Sequence, residues 1–465
     1  MPALDFTALP CSNLRELDLQ QLKLPGSGAT ASLQGFSQLT RLSLTSCYIP
    51  SAAVLLLPPL KDARIVRGLW GRSGSLVGSF LRSTALQGLT RLTLHDDSTG
   101  GLMAAALQHF SNFNSMQRLS LVCPPQTRTN PAPVLTEAAL SGSMHALQNL
   151  TSLSLSHIDV TEVAAPCMMQ LSALQHLKLV KCPGMQANVL ASFTRLQHLH
   201  LVTFHGMTFP ELLATLTGFT QLTFLSIATS ATASAPAEAF RTLTASSKLV
   251  HLSLSSLLSP LLWDYVLPSG LQLPHLTRLE VLFCSPVPLQ RLPEVCPALQ
   301  ELHLSIQENY GVPSSRTRRS GDDDQAAAAT AAAAPYPIES LGELSGLTSL
   351  HLRAGDFSCV AKGVWQLTRL RRLQVAAWYP LRTDDVLGLT NLQQLTLLEF
   401  GPVGIATVAV TQHASGAVRV VNQVGSCGRL SRLLMVSGSL SGRQWSPPVA
   451  LTCQIPFGWA MTTFH

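Results

Sequence analysis

Leu171–Cys182 reads LSALQHLKLVKC, and shortly afterwards Phe193–Leu201 reads FTRLQHLHL. Apolar residues hold the same offsets in both: Leu171 and Phe193, Leu174 and Leu196, Leu177 and Leu199, Leu179 and Leu201. Within x-L-x-L-x the side chains alternate faces with the period of a β-strand. Leu177 and Leu179 therefore point inward, while His176, Lys178 and Val180 point outward. Such a strand cannot bury its leucines alone and must stack on neighbours of the same pattern.

The unit recurs along the chain. Aligned on its first leucine it begins at Leu14, Leu39, Leu60, Leu89, Met116, Leu150, Leu174, Leu196, Leu222, Leu249, Leu276, Leu299, Leu347, Leu370, Leu392 and Leu430, with Leu60 and Leu430 the weakest matches. Eleven intervals span the 285 residues from Leu14 to Leu299, a mean period of about 26. Another apolar residue stands three positions earlier in nearly every unit, for example Phe36, Leu86, Phe113, Leu147, Phe219 and Leu367. Among the strong units only Leu249 breaks this column, with Ser246 in the place. Each unit thus offers at least four large side chains to a common core, worth roughly 1.5–3 kcal/mol apiece. Cys11, Cys47, Cys182, Cys284, Cys296 and Cys427 fall in apolar columns and read as packing residues.

This spacing resembles L-x-x-L-x-L-x-x-N/C, the signature of leucine-rich-repeat proteins, over about residues 11–436. The irregular units and the alanine-rich tract resemble the intracellular members of green algae and plants. The resemblance implies an α/β solenoid: a leucine-rich-repeat horseshoe with a concave parallel β-sheet and a convex side of short helices and loops. The ninth position is Cys47, Cys182 and Cys284 in three units but Ile158, Leu257 and Phe400 in others, and no asparagine ladder exists. The side-chain bonds that tie the family's turns are absent from most units, which predicts uneven curvature.

The expected organisation is a short lead-in over 1–10, about twelve repeats over 11–308, a low-complexity insertion over 309–338, three repeats over 339–400, a degenerate repeat or cap over 401–440 and a tail over 441–465. The insertion carries clustered arginines, an Asp322–Asp324 run and alanine tracts but no core columns, so it is expected to be disordered. Between the strands, Gly101–Phe110 and Ala233–Leu243 have helix-forming composition, whereas Ser285–Pro297, with four prolines, predicts an extended or turn-like path.

Composition narrows the function classes. Charged residues make up 12% of the chain and hydrophobic ones 46%, with a mean hydropathy of +0.26, yet no uninterrupted apolar run is long enough to span a bilayer. No membrane partner is expected. The N-terminal stretch has neither a basic region nor an apolar segment of the kind that directs export, and the ten cysteines include no CxxC pair. A reduced, cytoplasmic protein is expected, and the resemblance adds a cytoskeletal or ciliary-axoneme location. No nucleotide-binding, nucleophile-elbow or zinc-protease motif occurs, so no enzyme activity and no cofactor are predicted.

In leucine-rich-repeat proteins the outward strand positions make the usual ligand surface. Carried over by position, the first outward column runs from Glu16 through Arg41, Asp62, Arg91, Arg118, Ser152, His176, His198, Phe224, His251, Arg278, Glu301 and Ser349 to Arg372 and Gln394. The second runs from Asp18 through Ser43, Arg64, Lys178, His200, Ser226, Ser253, Glu280, His303 and His351 to Gln374 and Thr396. With a third column holding His95 and Arg353, the face has eight Lys or Arg against five Asp or Glu, and seven of the fourteen histidines. Its charge is expected to rise below about pH 6.5.

The candidate contact residues are Arg91, Arg118, His176, Lys178, His198, His200, His251, Arg278, His303, His351 and Arg372, and the expected partner is another protein, acidic or phosphorylated. His176, His198 and His200 stand close enough to suggest a metal, but Lys178 lies among them and no carboxylate or cysteine completes the set, so none is predicted. Nucleic acid is not expected from so mild a charge with one aromatic, Phe224, in the columns. The function expected is a monomeric, non-catalytic scaffold or adaptor. The alternatives are the substrate-recognition subunit of an F-box-type ubiquitin ligase with a truncated N-terminus, and a component of the ciliary axoneme.

Overall fold

The structure is a computed structural model. It describes residues 13–21, 31–32, 36–49, 55–66, 69–70, 86–95, 113, 115–124, 134–135, 147–160, 165–203, 207–229, 236–257, 262–284, 287–306, 338–354, 358–377, 391–402, 406–412 and 418–424. The expected Leu430 repeat, Cys11, Cys427, Gly101–Phe110 and the tail over 441–465 lie outside these residues.

One sheet of seventeen strands runs the length of the described chain. Its strands are Glu16–Gln20 (β1), Arg41–Thr45 (β2), Asp62–Val66 (β3), Arg91–His95 (β4), Arg118–Val122 (β5), Ser152–Ser156 (β6), His176–Val180 (β7), His198–Val202 (β8), Phe224–Ala228 (β9), His251–Ser255 (β10), Arg278–Leu282 (β11), Glu301–Ile306 (β12), Ser349–Ala354 (β13), Arg372–Ala377 (β14), Leu397–Pro402 (β15), Ala406–Gln412 (β16) and Val418–Val424 (β17). The first fifteen pair in sequence order and in parallel, while β16 and β17 join antiparallel beyond β15. This is a leucine-rich-repeat solenoid, with short helices such as Ala187–Ala191 (α1), Phe209–Leu216 (α2) and Leu262–Val266 (α3) in the returns.

The core is the stack of apolar columns. Leu171, Leu174, Leu177 and Leu179 are buried, as are their counterparts Phe193, Leu196, Leu199 and Leu201 in the next repeat. The weak unit at Leu60 is a full repeat, with Leu60, Ala63 and Ile65 buried and β3 paired on both sides. Across the long gap before Leu347, β12 pairs directly with β13; the expected insertion over 309–338 lies, but for Ile338, outside the described residues.

Each strand entry is tied twice: the N–H groups of Thr40 and Arg41 both donate to Arg15 O, and the same pattern repeats along the sheet. Thr40, Thr90, Thr151, Thr223, Thr277, Thr348 and Thr396 add a side-chain hydroxyl bond to the carbonyl that their own N–H reaches. Strand exits have a backbone substitute for the asparagine ladder. Gln21, Ser46, His157, Lys181, Thr203, Ser256 and Phe283 follow their strands in the left-handed region. The first six donate their N–H to the last strand residue, or its equivalent, of the next repeat. Two buried cysteines add to it: Cys47 Sγ lies 3.2 Å from Leu19 O, and Cys284 Sγ donates to Leu254 O at 3.4 Å. Burial pushes the Cys284 thiol up to about 11 and Cys296 to about 12, so neither is a nucleophile at neutral pH.

A left-handed β-branched residue is strained by about 1 kcal/mol or more. Thr203→Gly is therefore expected to raise the urea midpoint, with a gain of about 1 kcal/mol after the entropy cost of glycine in the unfolded chain. An unchanged or lower midpoint would show that the Thr203 side chain contributes more than its backbone costs.

Two sequence expectations are corrected. Ser285–Pro297 has the expected turn, a 3₁₀ turn at Leu289–Arg291, but continues into a short helix at Leu292–Val295 that the extended or turn-like reading did not include. Pro288 precedes the turn and Pro293 stands in the first helical positions, where the missing N–H would have no helical partner anyway. The last described repeat is also shifted: Arg372 pairs with Leu397 and Gln374 with Glu399, so its first leucine is Leu395 and its outward residues are Leu397 and Glu399 rather than Gln394 and Thr396.

Candidate functional site

The outward residues form two in-register columns across the sheet. Because facing Cα atoms on neighbouring strands lie about 4.8 Å apart, each column is a continuous ladder of side chains. Three zones differ in chemistry.

At the N-terminal end the charges cancel. Arg41 bonds Glu16 at 2.8 Å and Asp62 at 3.2 Å, and Arg91 bonds the same Asp62 carboxylate at 3.2 Å. Arg91 is thus one arm of an alternating ion-pair row. In β5–β7 the pattern changes to Arg118, Ser152 and His176 in the first column and Ser120, Ser154 and Lys178 in the second. Arg118 and Lys178 are exposed and make no ion pair among the described residues.

The third zone is built from rings. His176 stacks on His198 with centroids 4.2 Å apart, His198 on Phe224 at 5.7 Å, and Phe224 meets His251 edge-on at 4.4 Å. Rings that spend their faces on one another present edges outward, and aromatic edges carry the positive part of the quadrupole. His198 Nδ1 is buried and has no hydrogen-bond partner among the described residues. The geometry also bears on metal binding: among the described residues no group of three or more His, Cys, Asp or Glu is arranged to hold a metal ion.

Beyond His251 the organising residue is Glu280. Arg278 Nε donates to its Oε1 at 2.8 Å and a second Arg278 nitrogen bonds the same oxygen. His303 Nδ1 stands 3.4 Å from Oε1, and His251 Nε2 stands 3.7 Å from Oε2, beyond hydrogen-bond reach but within ion-pair distance when protonated. The neighbouring His251 ring and the Arg278 guanidinium hold the Glu280 carboxyl well below the usual carboxylate range. Arg278 continues to Glu301 at 3.2 Å, and His351 meets the His303 ring at 5.1 Å.

Of the eleven candidate residues, the ring zone unites His176, His198 and His251, and Glu280 unites His251, Arg278 and His303, with His351 against His303. Lys178 and His200 face each other on β7 and β8. Arg91, Arg118 and Arg372 stand apart on β4, β5 and β14. Sequence reasoning placed Phe224 and Glu280 in the outward columns without counting either as a contact residue. Their signal was positional: Phe224 interrupts a run of histidines in the first column, and Glu280 stands directly before His303 and His351 in the second.

The face is less basic than its composition. Burial lowers the pKa of His198, His200 and His303, and burial with His303 and Arg353 nearby brings His351 down to about 4. The expected rise in charge below about pH 6.5 is displaced to lower pH at these four. Between about 6.5 and about 4 the unfolded chain takes up a proton at His351 that the folded chain refuses, so folding weakens as pH falls through this window. Urea midpoints at pH 7 and 4.5 are expected to differ less in His351→Gln than in the wild type, and equal differences would remove His351 as a contributor.

Among the described residues no helix is long and apolar enough to cross a membrane. No protein-family model matches the chain, and no curated protein matches it. Solved structures do. An LRR protein of Leptospira interrogans aligns at 17% identity and a TM-score of 0.42, over 86% of this chain and 89% of its own. An internalin from Listeria monocytogenes aligns at 14% identity and 0.37, over 83% and 86%, and the TLR13–ssRNA13 complex at 17% and 0.39, over 84% and 67%. Likenesses this loose say nothing of what this chain binds.

Proposed function

We propose that this chain is a non-catalytic binding scaffold that holds a partner protein on the outward face of its sheet, centred on β7–β13. The observation that carries the reading is the ring ladder from His176 through His198 and Phe224 to His251. Solubility alone asks only for polar side chains at these positions. A contiguous ladder of ring edges running into a half-buried carboxylate network offers both donors and apolar area on one surface.

The test compares affinity capture by the wild type, by Phe224→Ala with His251→Ala, and by Arg241→Ala with Tyr265→Ala. The last pair lies away from the sheet, where Arg241 covers the Tyr265 ring at 5.4 Å. Loss of the same partners from the first variant alone supports the face. Equal recovery by all three proteins would reject it.

A further inference from the structure

The cations of the face are not equivalent. Arg41, Arg91 and Arg278 are neutralised by carboxylates within the protein, whereas Arg118 and Lys178 are exposed and unpaired among the described residues. These two stand at opposite corners of a block three strands wide, with Ser152 beside Arg118 and Ser154 beside Lys178. Two strand spacings and one same-face step along a strand put their Cα atoms roughly 12 Å apart. Ser120, Ser152 and Ser154, all half-buried, fill the block with side chains too short to reach the height of the cations. Their hydroxyls have no hydrogen-bond partner among the described residues. His176 closes the remaining corner.

We propose that this pit on β5–β7 binds a phosphorylated side chain of the partner, with Arg118 and Lys178 as the charge contacts and the three serine hydroxyls as its floor. The inference rests on the scaffold reading and names the chemistry of one subsite on the same face. A carboxylate brings one charge and two oxygens, too few to engage two cations and three hydroxyls together. A phosphate monoester brings close to two charges and three strong acceptor oxygens, which matches the donor set.

The experiment is fluorescence anisotropy on the full chain with three degenerate peptide pools that share random flanks and differ in a fixed central phosphoserine, serine or glutamate. The phosphoserine pool is expected to bind at least about tenfold more tightly than either other pool, and inorganic phosphate is expected to compete. Arg118→Ala and Lys178→Ala are each expected to weaken binding about tenfold, the loss of one charge-assisted bond, while Lys178→Arg restores it. Arg372→Ala, an exposed cation on β14, is expected to leave affinity unchanged. Both pit cations are exposed, so the variants should keep the wild-type circular dichroism.

Equal binding of the phosphoserine and serine pools would overturn the proposal, as would wild-type affinity in the Arg118→Ala, Lys178→Ala double variant. Tighter binding of a single-stranded RNA with the same sensitivity would also overturn it, by assigning the pit to a nucleic-acid backbone. Should the pools fail while partner capture still depends on Phe224 and His251, the subsite falls and the scaffold reading stands. Should capture prove independent of both, the scaffold reading falls on its own test.

Discussion

Gly184→Ala is expected to destabilise the protein by about 3 kcal/mol or more, combining a left-handed backbone penalty of about 1–2 kcal/mol with a collision against main chain. Gly184 has φ +80°, and a Cβ there would lie 2.2 Å from Val160 O and 2.7 Å from Asp159 Oδ1. The Val160 side of that contact cannot retreat easily, since its own N–H donates to Pro183 O at 2.9 Å and fixes the two turns together. Two other glycines separate the contributions. Gly270 has φ +82° with open space around it, so Gly270→Ala should cost only the backbone penalty. Gly88 has neither constraint, and Gly88→Ala should be neutral or gain a few tenths of a kcal/mol by restricting the unfolded chain. The order of urea midpoints, Gly88→Ala above Gly270→Ala above Gly184→Ala, is the result to check. Equal losses at Gly184 and Gly270 would show that the turns can part at no cost.

The repeat was legible because large apolar residues recur at offsets that only stacked strands can bury. Leu171, Leu174, Leu177 and Leu179 announce both the strand and its inward face, and even the degraded unit at Leu60 keeps enough of the pattern to be found. What stayed hidden depends on main chain or on neighbours in space. Leu389, Leu392, Leu395 and Leu398 are evenly spaced by three, so apolar pattern alone could not choose the register that pairs Arg372 with Leu397. The left-handed exits at Lys181, Thr203 and Ser256 leave no side-chain signature, because any residue type is held there by a backbone ladder.

The candidate site was legible as two columns and not as a charge pattern. Counting cations overstated the basic character, since Arg91 and Arg278 are each bound to a carboxylate on the same face. The threonine column at the strand entries was readable in principle, as Thr follows the first leucine in units such as Leu39 and Leu276, but its role is a hydroxyl bond to the neighbouring repeat. Glu280 became central only when strands placed His251, Arg278 and His303 around it.

Ser246→Leu, the substitution that would restore the missing apolar residue to its column, is expected to destabilise the protein by about 2–4 kcal/mol, the sum of a lost buried hydrogen bond and overpacking. Ser246 is 6% exposed, and its hydroxyl donates to Leu222 O at 2.7 Å and approaches Thr220 O at 3.3 Å. The neighbouring Thr244 behaves in the same way, donating to Val266 O at 3.0 Å from a buried position. A short polar residue therefore performs at this repeat what bulk performs elsewhere: it joins one unit to the previous one. Leucine would leave Leu222 O without that donor and add volume beside Leu249 and Leu222, both already buried. Ser246→Ala separates the two costs, because it removes the hydroxyl without adding volume and should lose only about 1–3 kcal/mol. Chemical denaturation of the three proteins, followed by circular dichroism, decides the matter. A gain in stability for Ser246→Leu would mean that the column is a hydrophobic rule with one defect. The expected loss would mean that it is a rule about inter-repeat contact, which a serine satisfies through its hydrogen bonds.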